Sequence, residues 1–471
     1  MENFGCRATQ ADGAAIERQF RDLGLERADA SSQAQIVVLN TCTVTASADQ
    51  DARAAIRRIH RANPNCQIVV TGCYAQRAPE EIAAMPGVTQ VIGNSHKHRL
   101  AEIASGSFVP LEHLKGEDAI FVSDIFAHTE LLAAPVFEAS SERTRPNLKV
   151  QDGCDNRCSF CVIPYVRGSS RSLPLARVLN ELNALIEAGY REVVISGINL
   201  GRWGRDLPGS LRFEDLVCSI LTDSSLEKLR ISSVEPMDWS DELIELVARS
   251  PRIAKHAHVP MQSGSDRILR EMHRKYRPWH YRGKIEKIRA AMPSAAIGAD
   301  VMVGFPGETD ADFEETRRLV EELPFTYLHV FTYSSRPGTP AAAMREQVPV
   351  AAARERNRIL RELAAKKKLE FMQSFIGKPL EAITLNSSGF VIPSEVEGSA
   401  VPTDAAAFTE ALTDNYLKLR LRDKHQPNCW TVAIVEDVRD GALIGAVRNV
   451  NQAPTICFSA QSSRSTSSPV L

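Results

Sequence analysis

Long apolar runs are missing from this sequence, which has no uninterrupted stretch approaching the ~20 apolar residues of a membrane-spanning helix. The first ten residues, MENFGCRATQ, also lack the basic segment and the apolar core of a secretory signal. Together these absences predict a cytosolic protein without a membrane partner. Because disulfides are disfavoured in the cytosol, clustered cysteines are better explained as metal ligands or reactive thiols than as covalent cross-links.

An excess of one charge is missing too. The 56 basic and 58 acidic residues leave a formal net charge of -2, so a nucleic acid would have to be attracted by a local basic patch. With 44% apolar and 24% charged residues, the composition is typical of a globular protein and excludes a disordered, fibrous or membrane class. A length of 471 residues predicts two or three domains.

The first predicted domain, residues 1–125, alternates apolar β-branched runs with amphipathic stretches, which is typical of a parallel α/β sheet. Two strand candidates end in similar ways, because residues 36–39 lead to Cys42 and residues 68–71 lead to Cys73. Helix candidates follow at residues 47–62 and 79–85, and Ser47 is suited to cap the first of them. Both cysteines are therefore expected where strands end.

The second predicted domain, residues 140–375, follows an irregular connection and repeats a β-then-α pattern. Its strand candidates are residues 148–150, 193–196, 229–232, 256–259, 297–303 and 327–332. Repeated β/α units predict a parallel barrel whose functional groups lie at the carboxyl ends of the strands. Six units predict an open, partial (β/α)6 barrel.

A basic helical run and a small β domain complete the chain. Residues 352–378 carry eight basic and three acidic side chains, so this helix either lies along a polyanion or presents a solvated face. The β domain is predicted over residues 376–447, with strands at 416–421 and 430–435. Residues 387–407 are interpreted as a loop insertion, and residues 448–471 as a disordered tail.

Three cysteines lie within eight residues just after the first barrel strand, at Cys154, Cys158 and Cys161. Three thiolates on a tight loop can bind three irons of a [4Fe–4S] cluster and leave the fourth iron open. S-adenosylmethionine could chelate that iron and be cleaved to a 5′-deoxyadenosyl radical. The alternative is a zinc site with a fourth ligand from elsewhere, although zinc cysteines are usually paired as C-x-x-C.

Other strand ends supply candidate contacts to S-adenosylmethionine. Glycine at a strand exit lets a small ligand approach the backbone, and hydroxyl and amide groups can bind a ribose or a carboxylate. The predicted cofactor-binding residues are Phe160, Gly197, Gln262, Ser263, Gly304 and Phe331. Each exit taken alone is also compatible with an ordinary turn. Several exits that converge on one rim favour a binding site.

Cys6, Cys42 and Cys73 are far apart in sequence, but parallel strands place their exits on one edge of a sheet. The three thiolates could therefore meet and bind a second cluster. The alternative is that they are unrelated buried cysteines. The remaining cysteines show no such pattern and are interpreted as structural, namely Cys66, Cys218, Cys429 and Cys457.

The chain resembles the radical-SAM methylthiotransferases from residue 1 to about residue 447. The matching stretches are NFGCRATQ, VLNTCTV, VTGCYAQ, GCDNRCSFCVIPYVRG, SGINLGRWGRD, HVPMQSGSD, MVGFPGET and HVFTYSSRPGTPAA. The resemblance implies an auxiliary [4Fe–4S] cluster on Cys6, Cys42 and Cys73, and a cluster that cleaves S-adenosylmethionine on Cys154, Cys158 and Cys161. It also implies that the C-terminal β domain is an RNA-binding TRAM module.

The implied reaction replaces a C–H bond by C–S–CH₃, with two molecules of S-adenosylmethionine and an external electron donor. IPYVRGSSRSLP and INLGRWGRDL are most similar to the branch that acts on N6-threonylcarbamoyladenosine beside the tRNA anticodon. Sibling branches act on N6-isopentenyladenosine or on a ribosomal-protein aspartate. In the first branch Arg167 or Arg171 could pair with the threonylcarbamoyl carboxylate, although both could equally bind phosphate or cap a loop.

The sequence departs from the family at two points. It begins five residues before Cys6, where the family has a β-strand, so we expect that strand to be truncated or lost. No Gly-Gly-Glu follows the second barrel strand, so no acidic residue is assigned to the methionine amino group. Two rival functions remain, a zinc-containing RNA-binding protein without catalysis and a radical enzyme with another product.

Overall fold

The computed structural model describes residues 1–5, 7–106, 119–128, 131, 144–386 and 408–448. Cys6, the predicted insertion at residues 387–407, and the predicted tail from residue 449 onward lie outside these residues. Within the described part, no helix is both long enough and apolar enough to cross a membrane.

The N-terminal unit is a parallel sheet of five strands in the order β1-β2-β3-β4-β5. Its strands are β1 (Glu2–Asn3), β2 (Ile36–Thr41), β3 (Gln67–Gly72), β4 (Val88–Gly93) and β5 (Ile120–Phe121). Its helices are α1 (Arg7–Asp22), α2 (Ala46–Ala62), α3 (Cys73–Arg77), α4 (Pro79–Ala83) and α5 (Leu100–Gly106). Helices cover both faces, with Ile56 packed near Leu39 and Ile16 packed near Val38. This two-sided burial explains why the strands are continuous apolar runs.

Two details of this unit differ from the sequence predictions. The first strand, expected to be truncated or lost, is present over two residues, because Glu2 and Asn3 pair in parallel with Leu39 and Asn40 at the edge of the sheet. Helix α2 is capped by Thr45 and not by Ser47, since the Thr45 side chain accepts a hydrogen bond from the backbone of Ala48. The predicted helix thus begins one residue earlier than expected.

The central unit contains six parallel strands, and the predicted strands are confirmed to within one residue at each end. They are β6 (Asn147–Lys149), β9 (Glu192–Ser196), β10 (Lys228–Ile231), β11 (His256–His258), β12 (Ala296–Val303) and β13 (Tyr327–Thr332). Two three-stranded sheets, β10-β9-β6 and β11-β12-β13, are joined by a parallel bridge between Leu229 and Ile253. The result is an open, partial barrel.

Helices and one short hairpin complete this unit. The hairpin strands are β7 (Gln151–Asp152) and β8 (Arg171–Ser172). The helices are α6 (Ile163–Arg167), α7 (Leu175–Glu187), α8 (Phe213–Asp223), α9 (Asp241–Arg249), α10 (Asp266–Glu271), α11 (Pro278–Ala291), α12 (Asp310–Glu322) and α13 (Val350–Gln373).

Side chains alternate between the two faces of each barrel strand. Residues such as Val193, Ala257 and Ala299 belong to the apolar core. The alternate positions, including Glu192, Arg230 and Asp300, carry charge. The interior of the barrel is therefore polar.

The C-terminal unit is a closed barrel of five strands in the order β14-β15-β16-β18-β17. Its strands are β14 (Pro379–Thr384), β15 (Phe408–Thr413), β16 (Lys418–Arg422), β17 (Trp430–Arg439) and β18 (Ala442–Val447). The turn between β15 and β16 closes the amino end of the central barrel. The backbone oxygen of Asp414 accepts a hydrogen bond from Arg230 at 3.1 Å, and Asn415 donates to the backbone of Ser294 at 3.0 Å.

Candidate active site

The three clustered cysteines follow β7 at the carboxyl end of the first barrel strand. Gly153 turns the chain with a positive φ of 71°, and a Cβ at this position would lie 1.9 Å from the carbonyl oxygen of Ser169. The amide of Cys154 donates to the carbonyl of Gly168 at 3.0 Å. Only glycine fits here, so the turn fixes where the cysteine loop begins.

Hydrogen bonds attach the cysteine loop to distant parts of the barrel. The hydroxyl of Ser159 donates to the carbonyl of Glu271 at 2.6 Å, and its carbonyl accepts from the amide of Ala341 at 2.9 Å. Phe160 packs against an apolar cluster that includes Met272 and Phe305. The loop therefore presents its cysteines on a rigid support.

Two side-chain donors point at the sulfur atoms. Nδ2 of Asn199 lies 3.6 Å from Sγ of Cys154, and Nη1 of Arg274 lies 3.3 Å from Sγ of Cys158. Burial raises the pKa of the Cys154 thiol to about 11 and that of Cys161 to about 12. At neutral pH these thiols would be protonated unless a metal cation replaced the proton. The donor set and its surroundings therefore fit an iron–sulfur cluster.

Two of the predicted S-adenosylmethionine contacts are glycines at crowded positions. A Cβ on Gly197 would lie 2.8 Å from Oε1 of Gln151, and a Cβ on Gly304 would lie 2.6 Å from Cβ of Ala353. Gly304 also has a positive φ of 74°. Both glycines are needed for packing within the protein, in addition to any role toward a ligand.

Three other predicted contacts lie at the ends of β11 and β13, whereas Phe160 lies in the cysteine loop. Gln262 has a φ of 63°, and its amide donates to the carbonyl of Asp300 at 2.8 Å. Ser263 is buried, with its hydroxyl 3.2 Å from that of Thr316, whereas Phe331 is exposed. Gln262 and Phe331 are thus the more accessible of these three, because the Ser263 hydroxyl already has a protein partner.

Two of the three early cysteines lie together at one edge of the N-terminal sheet. Thr41 at the end of β2 pairs with Gly72 at the end of β3, so the next residues, Cys42 and Cys73, lie side by side. Both cysteines are buried. A Cβ on Gly5 would lie 2.3 Å from Cβ of Cys42, which brings the chain just before Cys6 to the same edge. Cys6 itself is outside the described residues.

A buried ion cluster, which we call the first anchor, joins the N-terminal unit to the central barrel. It consists of Asp12, Lys97, Lys149, Asp152 and Arg167. Nη2 of Arg167 lies 3.0 Å from Asp12 and Nη1 lies 2.9 Å from Asp152, while Lys149 contacts both carboxylates. Burial alone would raise the pKa of Asp12, but Lys149, Lys97 and Arg167 outweigh it and hold that pKa well below its usual range.

The predicted contact between Arg167 and the substrate is not supported by this geometry. The side chain of Arg167 is only 2% exposed, and its guanidinium is paired with carboxylates of the first anchor. Arg171 lies against it, donating to the backbone oxygens of Arg167 at 3.0 Å and His128 at 3.2 Å. Sequence reasoning could not identify these roles, because Asp12 is 155 positions away from Arg167.

A second buried cluster, the second anchor, lies beside Cys42 and comprises Thr43, Asp49, Arg77 and Arg336. Asp49 accepts hydrogen bonds from Arg77 at 2.9 Å and from Arg336 at 2.7 Å. The Thr43 hydroxyl donates to Asp49 at 2.6 Å and accepts from Arg77 at 2.8 Å. Arg336 comes from the segment after β13, so this cluster ties the Cys42 segment to the last barrel strand.

Sequence reasoning also missed three polar residues inside the barrel, His258, Asp300 and His329. One ligand atom from each lies within 4.8 Å of the others, which no other group of three His, Cys, Asp or Glu residues in the described part of the chain achieves. The sequence signal for them is the alternation in HAH (residues 256–258) and GAD (residues 298–300). It places the polar side chains on the strand face opposite to the core alanines.

Two family models match the chain. The model described as "Uncharacterized protein family UPF0004" matches residues 1–93. The model described as "Radical SAM superfamily" matches residues 148–320. The first match covers strands β1 to β4 with Cys42 and Cys73, and the second covers the cysteine loop and most of the partial barrel.

A solved structure supports the fold assignment. The radical S-adenosylmethionine methyltransferase TsrM from Kitasatospora setae superposes with a TM-score of 0.50 at 16% identity, covering 71% of this chain and 67% of that one. At this identity the similarity concerns the fold alone.

Sequence relatives are much more similar. Threonylcarbamoyladenosine tRNA methylthiotransferase MtaB from Bacillus subtilis (strain 168) is 37% identical over 420 residues, or 89% of each chain. The protein of the same name from Aquifex aeolicus (strain VF5) is 36% identical, over 84% of this chain and 95% of its own. The tRNA-2-methylthio-N(6)-dimethylallyladenosine synthase of Novosphingobium aromaticivorans is 34% identical, over 81% and 85%. This chain therefore belongs to the radical-SAM methylthiotransferases, in their MtaB-like branch.

Proposed function

We propose that this enzyme attaches a methylthio group to carbon-2 of N6-threonylcarbamoyladenosine beside the anticodon of tRNA. The observation that carries the proposal is the pair of buried anchors, which connect the segment of Cys42 and the segment of Cys154 across one junction between two units. The relatives named for this reaction match the chain over both of these units.

We assign Cys154, Cys158 and Cys161 to one [4Fe–4S] cluster and Cys6, Cys42 and Cys73 to a second. When bound, S-adenosylmethionine and its cluster supply a 5′-deoxyadenosyl radical. Arg274 and Asn199 donate toward thiolate sulfur, which stabilises the ligated, anionic form of the cysteines. Gln262, Gly304 and Phe331 are the contacts we assign to S-adenosylmethionine at the strand ends.

Radical chemistry suits this target because the C–H bond at carbon-2 of adenine is neither acidic nor electrophilic. General acid–base and nucleophilic mechanisms therefore cannot activate this bond. The base must also leave its stack in the RNA loop and be held close to both reacting groups. A rigid junction between the two cysteine-bearing units meets that geometric demand.

We propose tRNA as the partner, bound in part by the C-terminal barrel, with an external electron donor and a cytosolic location. The predicted basic helix contributes less positive charge than its sequence indicates. Arg356 on α13 is buried and paired with Glu308 at 2.6 Å, and Arg358 is paired with Glu355 and Glu362. Nucleic-acid binding by α13 would therefore rest on its remaining exposed side chains.

The test is mass spectrometry of nucleosides from tRNA of a strain that lacks this gene. We expect the 2-methylthio derivative of N6-threonylcarbamoyladenosine to be missing and to be restored by the wild-type chain. Cys158→Ala should not restore it, whereas Cys218→Ala should, because Cys218 is an exposed cysteine on α8. Loss of the dimethylallyl derivative instead would assign the substrate of the sibling branch. An unchanged nucleoside profile would contradict the proposal.

A further inference from the structure

The inward faces of β11, β12 and β13 carry a polar cluster that no step above uses. In the register of these strands Asp300 is directly opposite His329, and His258 is opposite Gly298, one inward position before Asp300. The intervening residues Ala257 and Ala299 belong to the outer core. Because side chains alternate along a strand, His258, Asp300 and His329 all face the barrel interior. We call them the interior triad.

The interior triad is centred on one carboxylate oxygen. Oδ1 of Asp300 lies 3.3 Å from Nε2 of His258 and 3.2 Å from Nδ1 of His329. Nδ1 of His258 is hydrogen-bonded to the hydroxyl of Ser233 at 2.5 Å, which fixes the orientation of its ring. Nε2 of His258 is buried, so a ligand would meet Asp300 and His329 rather than this atom.

Exposure increases across the triad. The side chains of His258, Asp300 and His329 are 7%, 24% and 54% exposed, respectively. The cluster therefore runs from the barrel wall toward open space, and His329 presents half of its ring to that space. Bonding of His329 through Nδ1 to Asp300 leaves its Nε2 edge for a ligand.

The charge of the triad is set by Asp300. Burial alone would raise the pKa of Asp300, but His258 and His329 outweigh burial and hold that pKa well below its usual range. Asp300 is thus an anion at neutral pH, which accepts hydrogen bonds and does not donate them. The ring of His329 directs Nδ1–H to this anion, so its Nε2 accepts in the neutral form and donates in the imidazolium form.

The triad lies one inward layer below the strand ends assigned to S-adenosylmethionine. Phe331 is two residues beyond His329 on the same face, with ring centroids 6.4 Å apart. Below the triad, Tyr327 packs against His258 with ring centroids 5.9 Å apart. A substrate base positioned at the rim would therefore direct a long substituent toward the triad.

We propose that the interior triad binds the N6 substituent of the substrate adenosine, a group that carries hydrogen-bond donors and a carboxylate. Asp300 accepts from a ureido N–H or a hydroxyl. His329 binds the carboxylate as an imidazolium, in which Nδ1–H is directed to Asp300 and Nε2–H donates to the ligand. This inference rests on the proposed function, because that function supplies a threonylcarbamoyl group with these features.

The same arrangement discriminates against an apolar N6 substituent. A dimethylallyl group placed over Asp300 and His329 would remove water from both without replacing its hydrogen bonds. Enclosed binding sites built from polar groups reject ligands that leave those groups unpaired by factors of about 10⁴–10⁵. Because His329 is half exposed and water can still reach it, we expect a smaller factor, of about 10².

The test measures binding of anticodon stem-loops to the cluster-containing enzyme without reductant, so that no turnover occurs. Three loops differ only at the target base, which is N6-threonylcarbamoyladenosine, N6-dimethylallyladenosine or adenosine. The variants are His329→Leu and Asp300→Asn, with His280→Leu as the matched control at an exposed histidine of α11. His329→Gln, which retains a side-chain N–H donor, serves as the conservative replacement.

We expect His329→Leu to weaken binding of the threonylcarbamoyl loop by about 10- to 100-fold relative to the adenosine loop. Asp300→Asn should act in the same direction, and His329→Gln should recover part of the loss. His280→Leu should keep the wild-type ratio between the loops. An equal loss on all three loops, or an unchanged ratio, would overturn the inference.

Two other outcomes can be distinguished from substrate binding by the triad, namely metal binding at the triad and failure of the proposed function. The three residue types also suit a divalent cation. One zinc or manganese ion per chain that survives chelation in the wild type but not in His329→Leu would overturn substrate binding by the triad. If the wild-type enzyme forms no methylthio product on the threonylcarbamoyl loop, the proposed function fails. If it does and the His329→Leu ratio is unchanged, only the triad inference fails.

Discussion

Gly153 combines two constraints at the start of the cysteine loop, a positive φ of 71° and a carbonyl oxygen 1.9 Å from any added Cβ. A residue with only the first constraint provides a comparison. Gly209 has a φ of 89° but no atom within 4 Å of an added Cβ. The pair therefore separates the cost of a backbone conformation from the cost of a steric clash.

We predict that Gly153→Ala displaces the cysteine loop and lowers the iron bound per chain severalfold after anaerobic reconstitution. Gly209→Ala should cost about 1 kcal/mol of unfolding free energy and leave the iron content unchanged, because only the left-handed conformation is penalised. Iron and acid-labile sulfide analysis and chemical denaturation would measure both effects. Equal iron contents in the two variants would contradict the importance of the clash.

At the scale of elements, the second anchor determines how the Cys42 segment is placed against the barrel. The Asp49 carboxylate is buried between Arg77 of its own unit and Arg336 of the barrel. The amide of Ala46 also donates to the hydroxyl of Ser334 at 3.0 Å, next to this pair. One end of α2 is thereby fixed to the segment that follows β13.

We predict that Arg336→Gln costs about 3–5 kcal/mol of unfolding free energy, because it leaves part of a buried charge unpaired. It should also reduce methylthio product more than 5′-deoxyadenosine, since the two cysteine sets would lose their fixed separation. Arg99→Gln is the control. Arg99 pairs with Glu102 at 3.0 Å on the surface, where such pairs contribute about 0–1 kcal/mol. Parallel losses of both products in Arg336→Gln would argue against a positioning role.

The sequence was sufficient to predict the barrel strands because buried parallel strands are continuous apolar runs with clear ends. It also predicted that Cys42 and Cys73 would be neighbours, since both follow strands of one parallel sheet. It could not predict the anchors, whose partners are far apart in sequence, as are Arg336 and Asp49 at a separation of 287 positions. For the same reason the sequence leaves the role of Arg167 open between a substrate carboxylate, a phosphate and a loop cap, whereas in the fold it pairs with Asp12 and Asp152.

At the scale of the whole molecule, the first anchor makes the contact between the N-terminal unit and the barrel sensitive to acid. Its contribution to stability decreases as the pH falls. Neighbouring cations hold the pKa values of Asp12 and Asp152 well below their usual range despite burial. Folded protein thus keeps these carboxylates ionised at a pH where the unfolded chain protonates them. Their contribution is full above about pH 5 and is lost as the pH falls through about 4 and below.

We therefore predict that the denaturant concentration at the unfolding midpoint is constant between about pH 7 and pH 5 and decreases steeply below about pH 4. Protein with and without bound iron should both be followed, because acid also protonates cysteine ligands. The decline should appear in the protein without iron as well. A midpoint that remained level to about pH 3 in that form would contradict the assigned charge states.

The turn at Asp414 closes the amino end of the barrel, so the interior is a well that opens at the carboxyl ends of the strands. Tyr416 from this turn packs against His256 and Tyr327, with ring centroids 4.7 Å and 5.9 Å away, and so forms the bottom. Phe331 at the mouth is four residues from Tyr327, a depth of about 13 Å at about 3.3 Å per residue. The depth of the well therefore limits the length of a substituent that fits below the rim. A substituent longer than this would hold the base above the rim, and one that is too short would end above His329.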